Sequence, residues 1–279
     1  MRTRCTTPRR RVVVIVVLAV AIGLIAAAPG LAHGGTSSPS DASYMVVYSS
    51  QDAGNNPTTS HCFATFARIS GSAARVELHH ISWFNVRGHQ TGSTCIFDDC
   101  GQPAQPEPGE NRTAGEALAM AQRRGLRVTR WGPYEIDRAL FERALRQIDH
   151  LQGRIPGHKV LYKAMDLGFR EGSEVRALNC IHAVSDIDRD RAPLRTWTSY
   201  GDEAVRKVVQ HLRRWIKGQG REHPEVWEPI WEATWLGARA SAALEIVRGE
   251  APWQEQTRAA QAPAAAASGR ARPRAGGGS

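Results

Sequence analysis

Residues 60–69 read SHCFATFARI. Cys62, Ala64, Phe66 and Arg68 alternate with His61, Phe63, Thr65, Ala67 and Ile69, and a period of two marks a β-strand, whose successive side chains point to opposite faces. Residues 71–84, GSAARVELHHISWF, open on a turn at Gly71 and continue from Val76 to Phe84 as a second strand. The two runs predict a hairpin. Upstream, SYMVVYSS (43–50) is β-branched and apolar enough for a further strand, separated from the hairpin by the loop QDAGNNPTT (51–59).

Downstream the pattern changes to helices. Between Asn85 and Asn111 the chain is polar, rich in Gly and Pro and without period, which predicts a long loop of the kind that is functional or mobile in compact domains. In RTAGEALAMAQRRG (112–125), Thr113 and Glu116 have capping-box spacing and Gly125 is placed to end the helix. LRVTRWGPYEI (126–136) reads as strand and turn. DRALFERALRQIDHLQG (137–153) follows as a helix with Leu140, Phe141, Ala144, Leu145, Ile148 and Leu151 on one face. KVLYKAM (159–165) predicts a short helix or strand. Val205, Val208, Val209, Leu212, Trp215 and Ile216 recur at helical spacing in residues 201–218, and residues 223–249 predict a tryptophan-rich helix bent at Pro229. Its Trp227, Trp231 and Trp235 form a stripe suited to core packing. The expected fold class is α+β: an antiparallel sheet packed with helices, with extra helices at the C-terminal end.

Both ends of the 279-residue chain lie outside this pattern. Five arginines precede an apolar run from Val12 to Ala28, and Gly30-Leu31-Ala32 suits cleavage, so residues 1–32 predict a signal peptide or an uncleaved N-terminal membrane anchor. Either sends the body to the periplasm or beyond. Residues 256–279, built of Ala, Pro, Gly and Arg, predict a disordered tail. A single domain at about 44–255 remains, with a polar insertion at about 85–111. The net charge of +9 is concentrated at these ends: five arginines in the leader and Arg270, Arg272 and Arg274 in the tail leave about +1 between. A nearly neutral body lacks the footprint of a nucleic-acid binder. The only membrane contact expected is through an uncleaved leader.

Cysteine usage raises the functional question. Cys62, Cys95, Cys100 and Cys180 follow the leader, and four cysteines in an oxidising compartment permit two disulfides. Cys95 and Cys100, in a Gly/Pro-rich loop, are the nearest local pair. Cys180 differs, standing in ALNCIHAVSD (177–186). Asn179 is a favourable helix cap, and a cysteine in a first helical turn gains from the unpaired N–H groups there. His182, two residues on, points away from Cys180 on a helix and is a poor base. His61 on the first hairpin strand is a better one, with His79 or His80 on the second strand to orient it, since same-face residues of adjacent strands lie about 5 Å apart. Ser185, Asp186 and Asp188 read as a solvated helix end. Asn179, His182, Trp131 and Tyr134 are candidate substrate-binding residues, the last two through the turn RWGPYEI (130–136).

The order of these elements, a histidine strand, a second strand with polar residues and much later Asn-Cys-x-His, resembles the lecithin:retinol acyltransferase-like proteins, circularly permuted relatives of NlpC-type papain-like cysteine hydrolases. SHCFATFARI is similar to that family's histidine strand and NCIHAV (179–184) to its Asn-Cys-Glu-His-Phe box. Ile181 and Ala183 depart from the box, the stretch from Phe84 to Leu178 is long and unlike the family's, and the two tryptophan-rich helices at the end have no counterpart in it. The resemblance implies a permuted papain-like fold, with Cys180 as nucleophile, His61 as base and His79 or His80 as orienting residue. The implied activity is acyl transfer from an amide or ester of a cell-envelope peptide or lipid, with no cofactor. Two other readings compete: a non-catalytic, disulfide-bonded envelope binding protein of the same fold, and a metal protein using His61, His79 or His80, and His182, with or without Cys180.

Overall fold

Strand pairing begins with the predicted hairpin. A computed structural model of the chain describes residues 41–54, 56, 59–71, 75–86, 105–164, 175–195, 200–235 and 246–254. The expected leader, the tail, and Cys95 and Cys100 lie outside them. Strands β1 (Ala42–Gln51), β2 (His61–Ser70) and β3 (Arg75–Ile81) run antiparallel, with β1 in the middle of a five-stranded sheet of order β3-β2-β1-β6-β9. The remaining members are β6 (Arg127–Ile136), antiparallel to β1, and β9 (Ile246–Arg248), parallel to β6. β4 (Trp83–Asn85), β5 (Glu107–Asn111), β7 (Lys159–Tyr162) and β8 (Val175–Leu178) form a second sheet in chain order.

Several of these strands correct the sequence-based expectation. The second hairpin strand does not run unbroken to Phe84: Ser82 separates β3 from β4, and Asn111 takes over there, accepting the Ser82 N–H at 2.8 Å and donating to the His80 carbonyl at 2.9 Å. The chain thereby passes from one sheet to the other. The loop expected at 85–111 ends in a strand, β5, whose EPGEN sequence has little intrinsic strand preference. Pairing on both sides holds it, and Gly109 is needed because a Cβ there would meet the Trp83 ring at 2.0 Å. Ile246–Arg248 is a strand rather than the end of a tryptophan-rich helix, held on β6 and by the Arg248–Glu222 ion pair at 2.6 Å.

Helices cover both faces of the large sheet. The α1 helix (Ala114–Arg123) starts at a complete capping box, with Thr113 and Glu116 each accepting from the other's backbone N–H, and Gly125 follows its end at φ +63°. The α2 helix (Arg138–Leu151) is capped by Asp137 and buries Leu140, Phe141, Ala144, Ile148 and Leu151. Next come the short α3 (Cys180–Ser185), α4 (Gly201–His211) and α5 (Trp227–Trp235). On one face, Met45, Val47, Cys62, Ala64 and Phe66 pack with residues of α2, α3 and α4. On the other, Tyr44, Val46, Tyr48, Phe63 and Ala67 pack with α1, and Ile230 and the tryptophans of α5 join them. Trp227 stacks on Trp231 and Trp231 meets Trp235 edge to face, 5.3 and 5.0 Å between ring centroids, and the half-buried rings pack against the core as expected. The architecture is mixed α+β. Among the described residues no helix is long and apolar enough to cross a membrane.

Candidate functional site

The alternation of β2 decides how the candidate residues meet. Cys62 sends its side chain into the core shared with α3, and Cys180, the first residue of α3, belongs to the same core. Both thiols are buried and neither is in a disulfide. Burial, and next the proximity of Cys180, hold the Cys62 thiol well above its ordinary range. Two cysteines thus face each other's element across the interface between strand and helix.

His61 precedes Cys62 and therefore points to the opposite face. Its ring stacks on Phe84 at 3.7 Å and lies 5.5 Å from Phe63, residues of the other core, and its Nε2 shares a hydrogen bond of 3.1 Å with Ser82 Oγ. Burial in this apolar setting lowers its pKa to about 3, so the ring is neutral at physiological pH. His80 shares that face: its Nδ1 is hydrogen-bonded to Thr65 Oγ1 at 3.1 Å, and burial first, then the neighbouring His79, brings its pKa to about 4, against the pull of Glu116. The expected juxtaposition of His61 with the Cys180 thiol is not formed, because the sheet lies between them.

His79 is on the cysteine face, opposite Phe66 and edge-on to Phe141 at 5.7 Å, and donates to Glu77 Oε1 at 2.7 Å. Phe66 is four residues along β2 from Cys62, so His79 stands about 13 Å from that position at the rise of a β-strand. It is not a neighbour of the thiol either.

The four expected substrate contacts have structural duties. Asn179 caps α3 by accepting the His182 N–H at 2.8 Å and donates to the Ala164 carbonyl at 3.2 Å. His182 is 1 % exposed, and its Nε2 donates to the Leu194 carbonyl at 2.6 Å, an acceptor that fixes the tautomer. Trp131 and Tyr134 are buried in the core rather than lining a cleft: Trp131 Nε1 donates to the Glu250 carbonyl at 3.0 Å and the Tyr134 hydroxyl to Glu222 at 3.4 Å. The histidines proposed as metal ligands are divided between the two faces, and among the described residues no group of three or more His, Cys, Asp or Glu side chains is arranged to hold a metal.

Sequence reasoning missed the polar cluster that follows α3. The Asp186 to Asp188 turn, expected to be solvated, is buried. Asp188 accepts from Arg214 through both carboxylate oxygens, one at 2.8 Å from Nε. Asp190 receives a two-pronged contact from Arg143 at 3.1 and 2.8 Å and a third from Arg214 at 3.0 Å. Arg143, Arg146, Gln147 and His150 occupy one helical stripe of α2 beside its apolar face, at spacing 0, 3, 4 and 7. That stripe is the signal in the sequence that the apolar periodicity overshadowed.

No family model matches the chain, and neither does a curated protein or a solved structure.

Proposed function

We propose that the chain is a non-catalytic binding protein of the cell envelope, in which Cys180 fills the junction between α3 and β2 instead of attacking a substrate. The observation that supports this most directly is the partition of side chains across β2. A thiol nucleophile needs a base within hydrogen-bond reach, yet His61 and His80 face the opposite core and His79 is displaced along the sheet. At the strand position turned toward Cys180 the chain carries Cys62, which is a weak acid in its buried setting and no proton acceptor.

The thiol-hydrolase reading, with its permuted papain-like fold, draws support from one arrangement: Cys180 opens an Asn-capped helix packed on the strand that carries His61. It requires His61 or His79 to reach the thiol, which the register of β2 and β3 opposes. Cys180→Ala tests the choice. The binding-protein reading expects a variant that lacks no hydrolytic activity on envelope peptides or lipid esters relative to the parent and unfolds within about 1 kcal/mol of it. Hydrolysis by the parent that the variant loses would overturn that reading.

A further inference from the structure

The cysteine face of the large sheet carries a polar row at one end. Ser49 of β1 stands directly opposite Cys62 of β2, so the two side chains share that face with Cβ atoms about 5 Å apart. Thr129 of β6 continues the row on the other side of Ser49. Two helices begin beside it. α4 brings Asp202, which accepts from Ser49 Oγ, from Thr129 Oγ1 at 3.3 Å and from Arg127 Nη2 at 2.7 Å. α3 packs on β2 and brings Cys180 into the core that holds Cys62. The Asn179 cap fixes where α3 starts, and Gln147 of α2 donates to its Ala183 carbonyl at 3.2 Å. Cys180 is thereby held against the strand.

Both residues are thiols. Two thiols packed in one core are substrates for disulfide exchange wherever the surroundings are oxidising. Cys180 is 7 % exposed and Cys62 2 %, so an oxidant reaches Cys180 first. Burial keeps Cys62 protonated, and joining it to Cys180 requires an acceptor for its proton. Ser49 provides one: its O–H is committed to Asp202, which leaves the oxygen lone pairs for the thiol S–H. The Asp202 side chain is 28 % exposed and passes the proton to water.

We propose that Cys62 and Cys180 form a modification site, a dithiol that disulfide exchange closes into a bridge between β2 and α3, with Ser49 and Asp202 relaying the Cys62 proton. The bridge deepens the binding-protein reading and rests on it for its oxidising surroundings. The oxidant is a small disulfide. The Cys180 thiolate, its proton lost to water, attacks one sulfur of that disulfide; a mixed disulfide forms and one thiolate leaves and is protonated by water. Cys62 Sγ then attacks Cys180 Sγ, its proton passes through Ser49 to Asp202, and the second thiolate leaves and is protonated in turn. Two cysteine thiols and one disulfide become one Cys62–Cys180 bond and two small thiols.

The full-length protein in its dithiol state, incubated with oxidised glutathione at about pH 8.5 where ordinary thiols ionise, then quenched in acid, unfolded, alkylated and mapped by peptide mass spectrometry, tests this. A peptide linking Cys62 to Cys180 and carrying no glutathione is expected as the main product of either residue. Cys62→Ser should stop at a Cys180–glutathione adduct. Ser49→Ala should give the same linked peptide at least about fivefold more slowly. Recovery of both cysteines alkylated, linkage of either to Cys95 or Cys100, or closure by Ser49→Ala at the parent's rate would overturn the proposal. The parent's own linkage pattern decides the bridge, so a variant that misfolds does not shield it. Linkage and hydrolysis are separate readouts: a missing bridge removes the redox pair and leaves the binding-protein reading, whereas hydrolysis that depends on Cys180 removes that reading whatever the linkage.

Discussion

The two faces of the five-stranded sheet carry different chemistry. One holds Cys62, Cys180 and, beyond α2, a network of arginines and aspartates; the other holds His61 and His80 among aromatic rings, with α1 and α5 laid over them. His61 and Cys62 are adjacent in sequence and separated by the thickness of the sheet in space. Side chains that would form a catalytic pair if they met are kept apart by a single residue of register. The cysteine face joins its charges in pairs, whereas the histidine face keeps His61 and His80 neutral and sets the Arg130 guanidinium 4.2 Å over the Trp227 ring.

Substitutions break this contrast most strongly where charge is buried. Arg214→Ala on the cysteine side leaves the Asp188 carboxylate, whose side chain is 0 % exposed, with its principal partner gone. A clear drop in the urea-unfolding midpoint is expected, because the carboxylate stays buried after the exposed half of the pair is removed.

On the histidine side, acid should do similar damage without any mutation. His61 and His80 have folded pKa values of about 3 and about 4, below the ordinary value of 6.5. The unfolded chain therefore binds protons that the folded one refuses. Stability from these groups is complete above about pH 6.5 and falls as pH drops toward the folded pKa values, by about 2 to 4 kcal/mol at pH 5 for the pair. Urea titrations at pH 5 and pH 7 measure that difference, and His61→Gln combined with His80→Gln should flatten it. A smaller effect is expected where the two faces differ least in charge: Asn179→Ala removes the cap of α3 and should lower the melting free energy by about 1 kcal/mol.

Much of the scaffold was legible from local pattern. The β2 alternation, the Thr113–Glu116 box and the apolar stripe of α2 each report a short-range constraint, and each element formed where its residues pointed. Elements fixed by distant partners were not legible. Glu107–Asn111 becomes a strand through its neighbours β4 and β7, and Ile246–Arg248 through β6. The candidate site shows the same division. Alternation established that His61 and Cys62 face opposite ways, but which face receives α3 depends on packing some 120 residues downstream. The burial of Asp188 likewise depends on Arg214, contributed by a separate segment.

The rate at which Cys180 is alkylated by iodoacetamide in the native, non-reduced protein, followed from pH 5 to 9 by peptide mass spectrometry, tests the separation of thiol and histidines most directly. The structure predicts little modification of Cys180 below the ordinary thiol pKa of about 8.5, with reactivity appearing on unfolding. Rapid alkylation of Cys180 near pH 6, abolished by His61→Gln or His79→Gln, would contradict it.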